Sequence, residues 1–402
     1  MRLTILFLTF VLAATAQNKK LLVVSVDGLD NRYLADCDKL GLKIPNMRRL
    51  IKQGQWAQGV VGVVPTVTWP SHTTIISGVD PTVHGIAGNK RPKSEGGDYY
   101  WDASLLKAKT LLDAMKAAGR TTAAVTWPVT VNAPVTYNLP EYFQGRRGGD
   151  MDTRATESKA VPVDLVARIA AMYPSFPQHW MEDRTRTLAT LYLLKTVKPD
   201  LILVHLVNLD AEAHDNGPFT REANAMVEHI DDLIGQMLAA MPVGYSFVLT
   251  SDHGFELVTK EINLMAEAKA RGVVGVRTDG SIAIAETPAA AALLKELRAT
   301  GKYGLGREIA KDELARFSST LAKAAAVYDS APGYLFDAAP TGKELPKVKE
   351  GGSHGHWPMR YRSVYVAWGP GISAQQTPEI SIKDIAGRMA NILGLNFTPG
   401  AK

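Results

Sequence analysis

The sequence predicts an α/β fold: a doubly wound α/β/α sandwich with a largely parallel central sheet and a small inserted lobe. Three observations carry this. Short, continuously apolar runs end at polar or glycine-rich turns, amphipathic stretches with helical spacing lie between them, and one stretch breaks the alternation. The runs Leu21–Val26, Thr122–Val125, Leu201–Val207, Ser246–Leu249 and Val364–Trp368 suit strands buried on both faces of a parallel sheet. Ala103–Ala118, Arg184–Thr196, Arg221–Ala240 and Ile382–Leu393 carry the apolar spacing of helices packed on that sheet. Strand and helix in turn make a sandwich. The break is VVGVRTDGSIAIAE, residues 273–286, where Asp279-Gly280 between alternating residues reads as a hairpin. It predicts an inserted lobe over about residues 256–350 of one domain, 17–402. GRRGGDMDTR, residues 145–154, and Glu95–Asp98 read as exposed loops.

The chain begins MRLTILFLTFVLAATAQNKK: one arginine, an apolar stretch from Leu3 to Ala13, then small residues at Ala14 and Ala16. That order predicts a signal peptide cut after Ala16, and hence export to a periplasm or beyond the cell. The apolar run falls short of the roughly 20 residues that a spanning helix needs, and nothing after it reads as a membrane span. Cys37 is the only cysteine among 402 residues, so no intrachain disulfide can form and stability must come from the core. The formal net charge of +5 is scattered along the chain, which argues against a nucleic-acid-binding groove and suits small anionic substrates. Oligomeric state leaves no mark on the sequence.

Ligands of open α/β sheets bind at the carboxyl ends of the strands. Polar residues gather there: Asp27 in VVSVDG, Asp210 and His214 in VHLVNLDAEAH, Asp252 and His253 in VLTSDHGF, and His354 in GGSHGHWP. Singly each has an ordinary reading, as a turn residue, a surface pair or a structural histidine. Together, in a chain with nine histidines, they are enough for two divalent sites of nitrogen and oxygen ligands. Imidazole and carboxylate without thiolate suit Zn²⁺ better than Mn²⁺ or Fe. Two such ions would stabilise the attacking and departing oxygens of a displacement at phosphorus. PTVTWPSHTTIISG, residues 65–78, then supplies hydroxyls at the start of a helix, placed either to cap it or to attack.

The ordered set D-G, P-T-x-T-W-P-x-H-T-x-x-x-x-G, H-G-I-x-x-N, D-x-x-x-H-x-x-G-P, S-D-H-G and G-x-H-G resembles the nucleotide pyrophosphatase/phosphodiesterase family of the alkaline phosphatase superfamily, from Leu22 to about Leu395. The resemblance implies an alkaline-phosphatase-like sandwich that cleaves phosphodiester or pyrophosphate bonds through a phosphothreonine on Thr68. It implies one zinc on Asp210, His214 and His354, and another on Asp27, Thr68, Asp252 and His253. Asn89 would bond a non-bridging phosphoryl oxygen, and Trp69 would pack on the substrate. His205 stands where nucleotide-cleaving relatives often carry tyrosine, a departure at a substrate-contacting position. Monoesterase relatives add a Lys-x-Arg or an arginine; the matching AVTWPVTVNAP, residues 124–134, has neither. Diesters or pyrophosphates are therefore expected over monoesters or phosphonates. Trp127, Asn132 and Tyr137 are candidate pocket residues, while His72, His84 and His356 read as structural, as do Thr66 and Thr73.

Overall fold

A computed structural model describes residues 19–402 apart from 144, 145, 148, 149, 152, 177–181, 337–346 and 349, with backbone alone at 146, 147, 150, 151, 153, 154, 347 and 348. The expected leader, residues 1–16, lies outside the described residues. Eight strands form the central sheet: β1 (Lys20–Val26), β2 (Gln55–Ala57), β3 (Thr122–Val125), β4 (Tyr137–Leu139), β5 (Leu201–Leu206), β6 (Tyr245–Thr250), β7 (Tyr365–Trp368) and β8 (Gln375–Thr377). Their order is β8-β2-β7-β6-β1-β5-β3-β4. β6-β1-β5-β3-β4 run parallel, and β7 lies antiparallel to both β6 and β2. The sheet is thus largely parallel, as the apolar runs predicted.

Alternation along the strands explains why those runs are apolar throughout. In β1, Leu22, Val24 and Val26 enter one core and Leu21 and Val23 the other, all fully buried. The first core is covered by α1 (Pro45–Gln53), α4 (Asp183–Tyr192) and α6 (Arg221–Ala240), through residues such as Met47, Ala189, Val227 and Ile234. The second is covered by α2 (Thr68–Ser77), α3 (Leu111–Ala117) and α7 (Asp384–Leu393), through Ile75, Leu111 and Met389. One further helix, α5 (Asn208–Asn216), follows β5 directly.

Two helices differ from the sequence reading. Over 103–118 the chain forms one 3-10 turn, Ala103–Leu105, and begins α3 only after Thr110. Thr110 Oγ1 accepts from Asp113 N–H and Asp113 Oδ2 accepts from Thr110 N–H, a reciprocal cap that fixes the start. The stretch 184–196 is α4 followed by one π-helical turn, Leu193–Val197, closed by Lys198 at φ 53°.

Residues 276–330 contain an antiparallel four-stranded sheet, Val276–Asp279, Ile282–Ala285, Ala326–Ser330 and Leu305–Glu308 in that spatial order. The first two strands form a hairpin in which Asp279 faces Ile282 and Gly280 sits at φ 58°. Ser281 Oγ donates to Gly355 O at 3.2 Å, so this sheet braces the loop that carries His354. Within 145–154, expected as a loop, the backbone of 146–147 pairs with 150–151 and 153–154 open a helical turn that runs to Glu157; 145, 148, 149 and 152 lie outside the described residues.

Candidate active site

The clustered polar residues sit at the carboxyl ends of β1, β5 and β6 and in the loop before β7. Asp27 ends β1, and Gly28 follows at φ 72°, where an added Cβ would lie 2.6 Å from the Phe255 ring. Asp210 and His214 are one turn apart on α5, and so share a face. Asp252 and His253 follow β6 directly, and His354 follows the short strand Gly352–Ser353.

The structure gathers them into two groups, each with one ligand atom per residue and all atoms of a group within 4.8 Å of one another. In the inner group, His253 Nε2 lies 3.1 Å from Asp252 Oδ2 and 3.3 Å from Asp27 Oδ1. In the outer group, Asp210 Oδ1 is 3.6 Å from His214 Nε2 and 3.7 Å from His354 Nε2. The groups adjoin, because the His253 and His354 rings stack at 3.7 Å.

Each of the three imidazoles places Nδ1 against a backbone carbonyl: His214 on Gly352 O at 3.2 Å, His253 on Gly254 O at 3.3 Å, His354 on Thr66 O at 3.2 Å. A carbonyl can only accept, so Nδ1 carries the proton and Nε2 presents a lone pair to the group. Asp27 Oδ1, Asp210 Oδ1, Asp252 Oδ2 and His253 Nε2 are buried without a hydrogen-bond partner. Buried polar atoms are rarely left so, and orphans converging on one point fit a cation.

The electrostatics agree. Burial, then the neighbouring Asp210 charge, pushes the Asp27 carboxyl well up; burial and then Asp27 do the same to Asp252. Burial, then repulsion from His354, holds His253 well below its ordinary value, and burial takes His354 down to about 4. Without a cation the carboxylates resist charging while the imidazoles stay neutral, a donor set that a divalent ion would balance.

Thr68 is the first residue of α2 and is 5% exposed, inside a cleft of about 600 Å³ lined by Asp27 of the inner group and by all three residues of the outer one. His72, one turn on and fully buried, holds Nδ1 2.9 Å from Thr68 O and fixes that first turn. Burial and the His205 charge keep His72 far below its usual value, so it donates there as a neutral ring. Asn89 Oδ1 accepts from Trp69 N–H at 3.0 Å, which leaves its NH₂ as the group available to a ligand in the cleft. Trp69 lines the cleft and packs on Tyr99 at 4.8 Å. Thr66 Oγ1 donates to His356 O and Thr73 Oγ1 to Trp69 O, so both hydroxyls are committed to packing. A larger hollow of about 740 Å³ near Gly78 and Arg388, at the other end of α2, contains none of the clustered groups.

His205 lines the cleft, yet it is 1% exposed and its Nε2 is 3.0 Å from Asp27 Oδ2. Trp127 is fully buried against His72, Tyr137 packs on the core, and Asn132 bonds Asp102 at 2.6 Å; the three lie outside the cleft lining. The sequence reading missed Glu141, Tyr99 and Phe143, which line the cleft, and Arg186 behind it. It also missed Asp183, whose carboxylate accepts from Val207 N–H and Asn208 N–H at 2.7 and 3.1 Å and so caps the helix carrying Asp210 and His214.

This architecture places the protein among the α/β proteins that collect their polar groups at the carboxyl ends of a largely parallel sheet. The profile of the type I phosphodiesterase / nucleotide pyrophosphatase family matches residues 21–352, and the chain belongs to that family. It is 26% identical over 280 residues to the bovine (Bos taurus) bis(5'-adenosyl)-triphosphatase ENPP4, covering 63% of this chain and 51% of that one. Human (Homo sapiens) ectonucleotide pyrophosphatase/phosphodiesterase family member 1 is 25% identical over 244 residues, 58% of this chain and 23% of its own. The Macrovipera lebetinus venom phosphodiesterase is 25% identical over 255 residues, 60% and 26% respectively. The chain spans about half the length of the first of these relatives and less of the others. In fold it is similar to murine ectonucleotide pyrophosphatase/phosphodiesterase 5, with a TM-score of 0.64 at 18% identity over 95% of this chain and 97% of that one. An inactive variant of that murine protein in complex with AMP gives the same score at 17% identity, covering 95% of this chain and 96% of that one. Among the described residues no helix is long and apolar enough to cross a membrane.

Proposed function

We propose that this protein is a metal-dependent hydrolase that cleaves phosphodiester or pyrophosphate bonds of small molecules through a phosphothreonine on Thr68. The observation that carries the reading is the convergence of orphaned buried ligand atoms into two adjoining groups, of which Asp27 and the three outer residues line the cleft that holds Thr68. Asp210, His214 and His354 would hold one divalent ion, and Asp27, Asp252 and His253, with the Thr68 hydroxyl, the other. The donor set favours zinc at both. Bound there, the ions would lower the threonine's pKa and offset charge on the phosphoryl and leaving oxygens.

The chain's own residues do the rest. Thr68 Oγ1, its proton lost to solvent, attacks phosphorus as the P–O bond to the leaving group breaks; water then cleaves the Oγ1–P bond of the phosphothreonine, freeing the phosphoryl product and restoring the threonine. At the first position of α2, Thr68 stands at the positive helix end, where backbone N–H groups favour a phosphoryl anion. Asn89 supplies an NH₂ to a non-bridging oxygen, and His72 holds the threonine's backbone against recoil. Trp69 and Tyr99 offer aromatic surface to a planar substituent such as a nucleobase. AMP bound to the murine fold relative supports a nucleotide substrate. The names ectonucleotide and venom phosphodiesterase support export, with residues 1–16 as a cleaved leader and 17–402 as one catalytic domain with its lobe over about 256–350.

T68A is the test. It should abolish hydrolysis of an aryl phosphodiester while keeping the circular-dichroism spectrum and metal content of the wild type. Residual turnover close to wild type, or a large preference for aryl monoesters in the unaltered protein, would overturn the assignment.

A further inference from the structure

His205 turns Nε2 toward Asp27 Oδ2 at 3.0 Å, the carboxylate oxygen opposite the one that joins the inner group. Its Nδ1 faces Thr126 O at 3.2 Å and Glu141 Oε2 at 3.4 Å, so acceptors stand at both ring nitrogens and, unlike the three clustered imidazoles, this ring donates from both. Behind it, one nitrogen of Arg186, Nη1, donates to Thr126 Oγ1 at 2.7 Å, His205 O at 2.9 Å and Glu141 Oε2 at 3.0 Å. Thr126 Oγ1 in turn donates to His205 O at 3.0 Å, and its backbone is held at φ 50°, where a β-branched residue is strained. Thr126, Glu141, Arg186 and His205 come from the residue after β3, the segment after β4, α4 and β5, and are 1%, 4%, 0% and 1% exposed. Of the four, His205 is the one that touches Asp27, and the other three hold His205.

We propose that Glu141, Arg186 and His205 form a positioning assembly that locks the Asp27 carboxylate, with Oδ2 tied down and Oδ1 left for a cation, and so sets the affinity of the inner group. The inference rests on the two-cation reading above. Stability alone does not account for the assembly: a buried ion pair is generally no better for folding than apolar side chains of the same volume. What a bonded pair does supply is a fixed direction. Ligating carboxylates depend on such outer partners, whose loss typically weakens metal binding by about 10- to 100-fold. His205, read from sequence as a substrate contact, acts here through Asp27.

Zinc titration of metal-stripped protein against a chromophoric chelator tests this, in an H214N background that leaves the inner group whole. H205A should weaken inner-group binding by about 10- to 100-fold, and E141Q by about 3- to 10-fold. H205Q, whose amide can still donate to Asp27 Oδ2, should recover most of the loss. A merely structural role would lower the Tm of the metal-free protein in step with affinity; positioning predicts that E141Q and H205Q leave that Tm within a few degrees. E141Q carries the test if H205A does not fold. Affinities of H205A and E141Q within twofold of the parent, or an equal loss at the outer group when His214 is restored, would overturn the assembly alone. Failure of the unaltered protein to bind zinc would overturn the two-cation reading, and this inference with it.

Discussion

The inner and outer groups use the same donor types but are built differently. Asp27, Asp252 and His253 are 4%, 0% and 1% exposed and grow directly from the ends of β1 and β6. Asp252 is pinned through Oδ1 by the N–H groups of Gly28 and His253 at 3.1 and 3.0 Å. In the outer group the side chains of Asp210, His214 and His354 are 21%, 37% and 12% exposed, on a helix and a glycine-rich loop. A sheet buried on both faces cannot shift its strand ends without disturbing two cores, whereas a helix turn and a loop open locally. The inner group is therefore the fixed reference of the site and the outer group its adaptable partner.

The largest expected contrast is in catalysis. D252N, which removes the inner group's anchored ligand, should lower kcat/KM for an aryl diester by more than about 10³-fold, and H214N by about 10²-fold. Equal losses in steady-state assays would erase the distinction. Metal release sharpens it further: on dilution into excess chelator, one equivalent should leave at least about tenfold faster than the other. H214N should abolish the fast phase and D252N the slow one.

A third contrast is in folding. G28A places a Cβ 2.6 Å from the Phe255 ring at φ 72° and should cost about 1–3 kcal/mol in urea unfolding. G301A, at φ 68° with no atom within 4 Å of an added Cβ, should show only the backbone strain, about 1 kcal/mol. The smallest effect is a pH trend. Burial drives His84 and His356 down to about 3 from 6.5, so both are neutral when folded and can protonate when unfolded. Between those values the two histidines bind more protons in the unfolded chain, so they add stability as pH rises, opposite in sign to Asp27 and Asp252, whose raised carboxyls hold protons in the metal-free fold. The double variant H84N/H356N should therefore gain less stability than its parent between acid and neutral pH in urea unfolding; an equal or larger gain would contradict it.

The sequence made parts of this legible for physical reasons. A strand buried on both faces shows as an unbroken apolar run, and a charged residue at its end, such as Asp27 after Val26, stands out. Asp252 and His253 after the run ending at Leu249 announced themselves in the same way; Asp210, His214 and His354 were legible only as part of the set. Arg186 did not: in DRTRTLAT it reads as a surface charge on a helix, yet it is fully buried on Glu141, 45 residues away. Such a pair is set by tertiary packing and leaves no local pattern. His205 was visible as a departure from its relatives, but its contact with Asp27 spans 178 residues and needed coordinates. The late start of α3 was legible after all, in Thr110 and Asp113, and was obscured by apolar spacing that continues upstream of the cap.

The central claim is that two cations sit together beside one threonine oxygen. Anomalous diffraction at the zinc edge from crystals grown with zinc tests it most directly. Two peaks per chain are expected: one bounded by Asp27 Oδ1, Asp252 Oδ2 and His253 Nε2, the other by Asp210 Oδ1, His214 Nε2 and His354 Nε2, with Thr68 Oγ1 beside the first. A single peak, or peaks away from Thr68, would contradict it.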